Sequence, residues 1–146
     1  MKNVTIEIDS TVEDLDEAGL VENCDKTHTK AAGTIEYNGN TMRLSFEETA
    51  DKITTESEII IGDSEISVKR SGGCEYSFRF IEGKTTSSIY TVPPYSFDTE
   101  IYTRKIRKDF GNCGGKIALI YDMTIGGAKK KTRMNICVSE NDSERT

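Results

Sequence analysis

Glu48 and Arg70 each place a charged side chain at the end of an apolar stripe in a predicted strand. Glu48 lies two residues beyond Phe46, and Arg70 lies two residues beyond Val68. Side chains two apart on a strand share a face, so both charges are expected to point the same way as the apolar residues. At the mouth of a barrel they would form a charge-assisted pair, and the guanidinium would bind a carboxylate or phosphate. The alternative is that both stripes end there and both side chains reach water.

Tyrosines are the second group of candidate ligand-binding residues. Tyr121 alternates with apolar residues in the segment KIALIYDMTIGG, and Tyr76 and Tyr90 lie in two other predicted strands. A tyrosine gives a cavity wall an apolar body with a polar tip, although core packing alone also accounts for such positions. Asp122 falls on the face opposite Tyr121, and its neighbours in the sequence offer it no partner.

The sequence offers few residues that could bind a metal ion or act in catalysis. His28 is the single histidine, and only Cys24 stands near it. On an extended strand the two side chains would lie ~13 Å apart, too far to share a zinc ion. Carboxylates are abundant, but the sequence identifies no pair of them whose surroundings would give the two groups different pKa values, as a general acid and a general base require. We therefore predict no metal, no cofactor, no catalytic residues and no enzyme activity.

Charge is distributed unevenly along the chain. The net charge is −6, and residues 9–25 hold seven acidic residues and no basic one. Two basic clusters, residues 104–108 and 129–133, stand apart from this acidic stretch and from each other. The acidic net charge argues against a nucleic-acid binder, because phosphate contacts need clustered Lys and Arg, and neither cluster contains interleaved aromatic residues for base stacking. The sequence therefore predicts no nucleic-acid partner.

Hydropathy and the spacing of the cysteines indicate the cellular compartment in which the protein is expected. The first residues, MKNVTIEIDS, hold no continuous apolar run, and no segment approaches the ~18 apolar residues that span a bilayer. The four cysteines are widely spaced and without a CxxC motif, as expected for reduced thiols. We expect a cytoplasmic protein with no membrane partner, formed of one domain over residues 1–140 with a disordered tail over 141–146.

Turn signals about ten residues apart, with period-two alternation between them, predict strands that close on one another. The turn signals are pairs or short groups that contain Gly or Pro, at residues 38–39, 62–63, 72–73, 82–83, 93–94, 111–115 and 126–127. Residues 11–20 are ambiguous: a short helical turn, an acidic loop or a strand edge all fit them. The predicted fold is all-β, a single antiparallel up-and-down barrel of about eight to ten strands.

The ordered spacing of several segments resembles the YwiB-like family of small uncharacterised bacterial proteins. The resemblance runs from about Gly33 to about Val138, and it is carried by LSFEE, VKRSGG, RFIEG, Tyr90, Thr103, KIALIYDMTIG and Asn135. It implies a calycin-like, lipocalin-shaped barrel with no assigned activity, and it adds Arg79 and Thr103 to the candidate ligand-binding residues. Tyr95 and the acidic stretch depart from the family pattern, and the lipocalin G-x-W signature is absent.

Two classes of function fit this barrel. The first is a non-enzymatic binding module that holds a small, partly apolar ligand with an acidic or polar group, in the barrel or at its mouth. The second is an interaction or assembly module with a filled barrel, such as a homodimer. Consecutive apolar residues at 59–61 and 117–120 favour the second class, because at least one residue of each run must face outward.

Overall fold

The computed structural model describes residues 2–111 and 114–140, and within these ranges the chain forms ten strands. The strands are β1 (Lys2–Leu15), β2 (Val21–Asn38), β3 (Thr41–Ala50), β4 (Ile53–Ile61), β5 (Ile66–Ser71), β6 (Tyr76–Phe80), β7 (Thr85–Val92), β8 (Tyr95–Gly111), β9 (Gly114–Ile125) and β10 (Ala128–Glu140). The predicted tail at 141–146 and Cys113 lie outside the described residues.

Each strand pairs antiparallel with the next strand in sequence, except that β6 and β7 form no ladder, and β1 also pairs with β10. The sheet order is therefore β6-β5-β4-β3-β2-β1-β10-β9-β8-β7, which brings β6 and β7 side by side as the two edges. This is a nearly closed up-and-down barrel. The predicted all-β fold and its antiparallel connectivity are confirmed.

The seam between β6 and β7 is closed without a continuous backbone ladder. Glu75 and Thr91 exchange two backbone hydrogen bonds of 2.8 and 2.9 Å at one end of the seam. Further along, Ser88 Oγ donates to the Ser77 carbonyl oxygen at 2.7 Å, and Thr86 Oγ1 bonds β6 in the same way. Side-chain hydroxyls therefore satisfy edge carbonyls that a ladder would otherwise pair.

The hairpins separate the barrel into an upper and a lower end. The upper end carries the turns at residues 16–20, 51–52, 72–75, 93–94 and 126–127, and the lower end carries the others. The upper turn at Asp51 and Lys52 has no glycine, although both residues have positive φ, at 51° and 67°. Without the glycine that such a hairpin usually contains, this turn gave no signal in the sequence.

The core is formed by the inward face of nearly every strand. Its fully buried side chains are mostly aliphatic and concentrate toward the lower end: Val4, Ile6, Ile35, Leu44, Ile59, Ile61, Ile66, Phe80, Ile101, Ile117, Leu119 and Ile136. Gly33 allows β2 to approach this core, because a Cβ there would lie 2.4 Å from the Ser45 carbonyl oxygen. The alternation seen in the sequence therefore identifies the inward face correctly.

The acidic stretch is part of two paired strands. Residues 11–15 continue β1, and only residues 16–20 form a turn before β2 begins. Of the alternatives left open for residues 11–20, the structure therefore has a strand over residues 11–15 and a turn over residues 16–20. Strand pairing is favoured because β10 presents its lysines opposite the acids, with Lys130 Nζ 2.6 Å from Asp14 Oδ1.

The described part of the chain includes no helix that is long and apolar enough to cross a membrane. Of the cysteines, the three that the structure describes, Cys24, Cys74 and Cys137, carry free thiols.

Candidate functional site

A cavity of about 130 Å³ opens inside the upper half of the barrel. It is lined by side chains of mixed character, namely Ile8, Ser10, Thr27, Thr29, Phe46, Glu48, Ser57, Ile59, Val68, Arg70, Tyr76 and Met134. Seven strands contribute to this lining, β1 to β6 and β10. The cavity therefore depends on closure of the barrel rather than on one local motif.

Glu48 and Arg70 form the ion pair that their spacing predicted. Arg70 Nη2 donates to Glu48 Oε1 at 3.3 Å. The two strands that carry them flank β4, where Ser57 pairs with Arg70 and Thr55 pairs with Glu48. Both side chains are about one-third exposed, at 32% for Glu48 and 33% for Arg70. The pair therefore lies at the mouth of the barrel, where it is neither fully buried nor fully solvated.

Arg70 also has an unused donor. Its Nε atom is shielded from solvent and has no hydrogen-bond acceptor among the described residues. A buried donor left unpaired costs about 1–3 kcal/mol, so an oxygen atom that accepted from Nε would stabilise this site. Arg70 can therefore donate to a further acceptor in the cavity while it keeps Glu48.

Tyr76 lies next to Arg70 through direct pairing of β5 with β6. Burial raises the pKa of the Tyr76 hydroxyl above its ordinary value, and the neighbouring Arg70 cation partly opposes this shift. The hydroxyl is therefore protonated at neutral pH, when it can both donate and accept a hydrogen bond.

Tyr90 reaches the same cluster from across the seam. Its ring stacks on Tyr76 with the centroids 5.5 Å apart, and Tyr76 stacks in turn on Phe78 at 4.1 Å. Burial raises the pKa of Tyr90, and the nearby Cys74 adds to the shift. Glu48, Arg70, Tyr76 and Tyr90 are thus the four predicted residues that the fold brings together.

Thr103 and Tyr121 lie deeper, below this cluster. They pair with each other across β8 and β9, and both are buried. The Tyr121 ring packs on Phe80 at 4.7 Å, and burial raises the pKa of its hydroxyl strongly. Thr103 Oγ1 is buried without a partner among the described residues, but Thr103 does not line the cavity. These two positions act as core here.

Arg79 lies away from the cluster, on the outer surface near the lower end. Its guanidinium is ion-paired with Glu65 and borders a separate surface depression of about 610 Å³. It alternates with the inward Phe78 and Phe80, so the period-two pattern itself turns it outward. The prediction of Arg79 as a ligand-binding residue gains no support from this position.

Apolar side chains stand exposed around the upper rim. Tyr95 is 66% exposed, and Val92, its pairing partner in the β7–β8 hairpin, is also exposed. Phe97 and Ile53 add to the same end of the barrel. A molecule that enters the mouth would therefore cross an apolar rim before it reached Arg70.

Small hydroxyl residues complete the cavity, and the sequence reasoning missed them. They are Ser10 on β1, Thr27 and Thr29 on β2, and Ser57 on β4. Each occupies an inward position in a strand whose lower inward positions are aliphatic, as Ser10 does beyond Ile6 and Ile8. The sequence therefore did contain a signal for these cavity residues, since each is a polar residue that continues the alternation of apolar residues in its strand.

Other polar groups pair on the outer surface. Asp122, for which the neighbouring sequence offered no partner, accepts a hydrogen bond from Arg104 Nε at 2.8 Å, because a register shift in β8 sets Arg104 beside it. His28 Nδ1 lies 2.6 Å from Asp9 Oδ1, on the neighbouring strand. Among the described residues, no group of three or more His, Cys, Asp or Glu side chains is arranged to hold a metal ion.

Comparison with known proteins gives a family and a fold. Residues 6–136 match a family described as a domain of unknown function (DUF1934). The chain is 24% identical over 123 residues to the uncharacterized beta-barrel protein YwiB of Bacillus subtilis (strain 168), covering 84% of this chain and 82% of that protein. The crystal structure of the Bacillus subtilis ywiB protein superposes with a TM-score of 0.82 at 23% identity, over 96% of this chain and 92% of that one.

Proposed function

The chain belongs to the DUF1934 family of YwiB-like β-barrel proteins, and on that premise we propose that it binds a small, partly apolar ligand at the upper mouth of the barrel. The ligand presents an acidic or other oxygen-bearing group to Arg70. The binding is non-enzymatic and calycin-like, in that the barrel interior holds the ligand. We place the protein in the cytoplasm, as the sequence analysis predicts.

The observation that carries this proposal is the buried Arg70 Nε donor. Arg70 lines the cavity, and its pairing with Glu48 leaves Nε without an acceptor among the described residues. An oxygen atom placed there removes the penalty of an unpaired donor, and a planar carboxylate suits the guanidinium fork. Tyr76 offers a second hydrogen bond from the neighbouring strand.

The size of the cavity limits the group that enters it. A volume of about 130 Å³ equals about four water molecules at their share of liquid volume. Only the polar head of a ligand fits at this depth, and the remainder must rest at the mouth. The exposed Val92 and Tyr95 there suit an apolar tail. Because Glu48 already balances the charge of Arg70, a singly charged or neutral head is favoured over a multiply charged one.

The test is a titration of the uniformly labelled protein with benzoate, followed by amide and side-chain NMR shifts. Benzyl alcohol and benzylamine, which share the ring and differ in the head group, are titrated in parallel. Benzoate is expected to shift the signals of Arg70 and Tyr76, benzyl alcohol to shift them less, and benzylamine not at all. Native mass spectrometry of freshly purified protein then tests for a co-purifying ligand.

Two arginine variants make the titration specific. Arg70→Leu is expected to abolish the benzoate shifts at the cavity, whereas Arg79→Leu, which removes an exposed arginine at the other end, is expected to preserve them. If Arg70→Leu leaves the benzoate titration unchanged, Arg70 does not anchor a ligand and the proposal fails.

A second candidate, an assembly module, is favoured by the exposed apolar rim. Tyr95 and Val92 project at the upper end, as residues of a protein interface often do. The runs that first suggested this class are less exposed, since Ile60 and Ile120 are half-buried. Sedimentation velocity of the wild type and of Tyr95→Ser tests it. A dimer lost in the variant supports assembly through the rim, and a wild-type monomer at high concentration rejects the homodimer.

A further inference from the structure

The two basic clusters of the sequence meet on one outer face of the barrel. One cluster lies on β8 and the other on β10, and β9 pairs with both strands. We define the basic face as the outward cations of these two strands, which are Arg104, Lys105, Arg107, Lys129, Lys131 and Arg133. The register aligns Lys105, Ile120 and Arg133 in one row across the three strands. The fold therefore joins charges that lie about 25 residues apart in the chain.

The basic face has the form of two cationic borders around a weakly polar strip. Adjacent strands lie about 4.8 Å apart, so the β8 and β10 cations flank β9 at a separation of about 10 Å. Between them β9 presents Ala118 and Ile120, both half-buried, and Asp122 toward the upper end. This spacing and composition fit an extended polymer that carries regular negative charge and some apolar surface.

Most of these cations are free to bind a partner. Arg104 is ion-paired with Asp122, but none of the other five contacts a carboxylate within 4.0 Å among the residues that the structure describes. These cations concentrate positive charge on one face of a protein whose net charge is −6, and two acids, Glu13 and Asp122, lie opposite Lys131 on the neighbouring strands. Near the upper end, Arg104, Lys129 and Lys131 also border a surface concavity of about 320 Å³.

An exposed aromatic ring lies beside the cations. Tyr102 faces outward from β8 and is 40% exposed, and Arg104 Cζ lies 5.8 Å from its ring centroid. Tyr102 falls just before the first basic cluster in the sequence, so it was not recognised as an aromatic companion of either cluster. In the fold it lies across from Asp122, at the edge of the strip.

From these contacts we infer that the basic face binds single-stranded nucleic acid, with the phosphates along the β8 and β10 cations and a base stacked on Tyr102. Cations that track a backbone, together with an aromatic platform for a base, are the combination that single strands require. The prediction of no nucleic-acid partner rested on the acidic net charge and on the lack of aromatic residues within either cluster. An anionic membrane would use the same cations, and the vesicle measurement described below distinguishes it from a single-stranded nucleic acid.

The test is fluorescence anisotropy with labelled oligouridylate and oligothymidylate. If about four phosphates contact the face, the slope of log affinity against log salt is expected to be about −2.8, a loss of about 50-fold between about 50 and 200 mM salt. Lys105→Ala with Arg133→Ala is expected to lower that slope to about −1.4. Tyr102→Ala is expected to weaken binding about tenfold with the slope unchanged, because stacking is not ionic.

A matched variant removes the same charge elsewhere. Lys26→Ala with Lys69→Ala takes two exposed cations from β2 and β5, and it is expected to bind like the wild type. Co-sedimentation with vesicles of phosphatidylcholine and phosphatidylglycerol supplies the membrane comparison. Binding to vesicles but not to the oligonucleotides overturns the inference, and so does an equal loss in the two double variants. Circular dichroism verifies that each variant keeps its strands.

Discussion

The lower and upper halves of the barrel interior differ although the same strands build both. In the lower half the inward side chains are aliphatic and fully buried, as at Ile6, Ile35 and Leu44. In the upper half the inward positions of the same three strands become Ser10, Thr29 and Glu48. The lower half is therefore filled by side chains, and the upper half leaves a cavity with polar walls.

This difference assigns stability to the lower half of the sheet, and it leaves the upper half for the ligand binding that we propose. Close-packed aliphatic residues supply most of the burial that holds the barrel shut. A polar residue inside such a core would cost free energy unless it were paired, so the hydroxyls, Glu48 and Arg70 are placed at the open end. The following predictions test whether the two halves behave as differently as their composition implies.

The largest effect is expected from truncation in the lower half. Leu44→Ala removes a fully buried side chain and should lower the free energy of unfolding by about 2–5 kcal/mol through lost burial and a new cavity. Urea denaturation gives the value. Leu20→Ala, at an exposed position in the upper hairpin, serves as control and should change stability by less than about 0.5 kcal/mol. Equal losses in the two variants would refute a packed lower half.

Enlarging small residues should give opposite results in packed and open regions. Gly33→Ala places a Cβ 2.4 Å from the Ser45 carbonyl oxygen, which should cost about 1–3 kcal/mol. Ser57→Val extends into the upper cavity and is expected to be neutral or to stabilise the fold by about 0.5 kcal/mol. Thermal melting of both variants measures the contrast, and strong destabilisation by Ser57→Val would show that the upper half has no spare space.

The mouth ion pair should contribute less than the effect of Leu44→Ala or of Gly33→Ala. A double-mutant cycle with Glu48→Gln and Arg70→Met is expected to give a coupling free energy of about 0.5–1 kcal/mol, because both groups are partly solvated. The exposed pair of Glu65 and Arg79, treated with the same substitutions, should couple more weakly. A coupling above about 3 kcal/mol at the mouth would mean that the pair is effectively buried.

The last predicted effect is a loss of stability with rising pH, which begins only in alkaline solution. Burial raises the folded-state pKa of Tyr121 above its ordinary value of 10.0. The stabilising contribution is thus fully present below about pH 10, and it is lost as the pH rises toward the folded pKa, since the unfolded chain ionises first. Urea midpoints measured from pH 9 upward should fall for the wild type and less steeply for Tyr121→Phe. Tyr37→Phe, at an exposed position, should reproduce the wild-type slope.

Local sequence pattern was sufficient to predict the strands and their inward faces. Alternation identified Leu44 and Phe46 as inward, and it placed Glu48 and Arg70 on the same side, where they form a pair. Hairpin turns that contain glycine were predicted as well, because glycine readily adopts positive φ. The turn at Asp51 and Lys52 gave no such signal, since ordinary residues adopt the strained conformation there.

Which strands become neighbours, and at what register, was decided only by the tertiary structure. The sequence by itself determined an all-β chain with one apolar face per strand, because period two is a local property of the backbone. It did not determine that Arg104 would meet Asp122, that Arg79 would stand apart from Arg70, or that residues 104–107 and 129–133 would share a face. These contacts depend on long-range pairing and on a register shift within β8, and closure of the barrel fixes both.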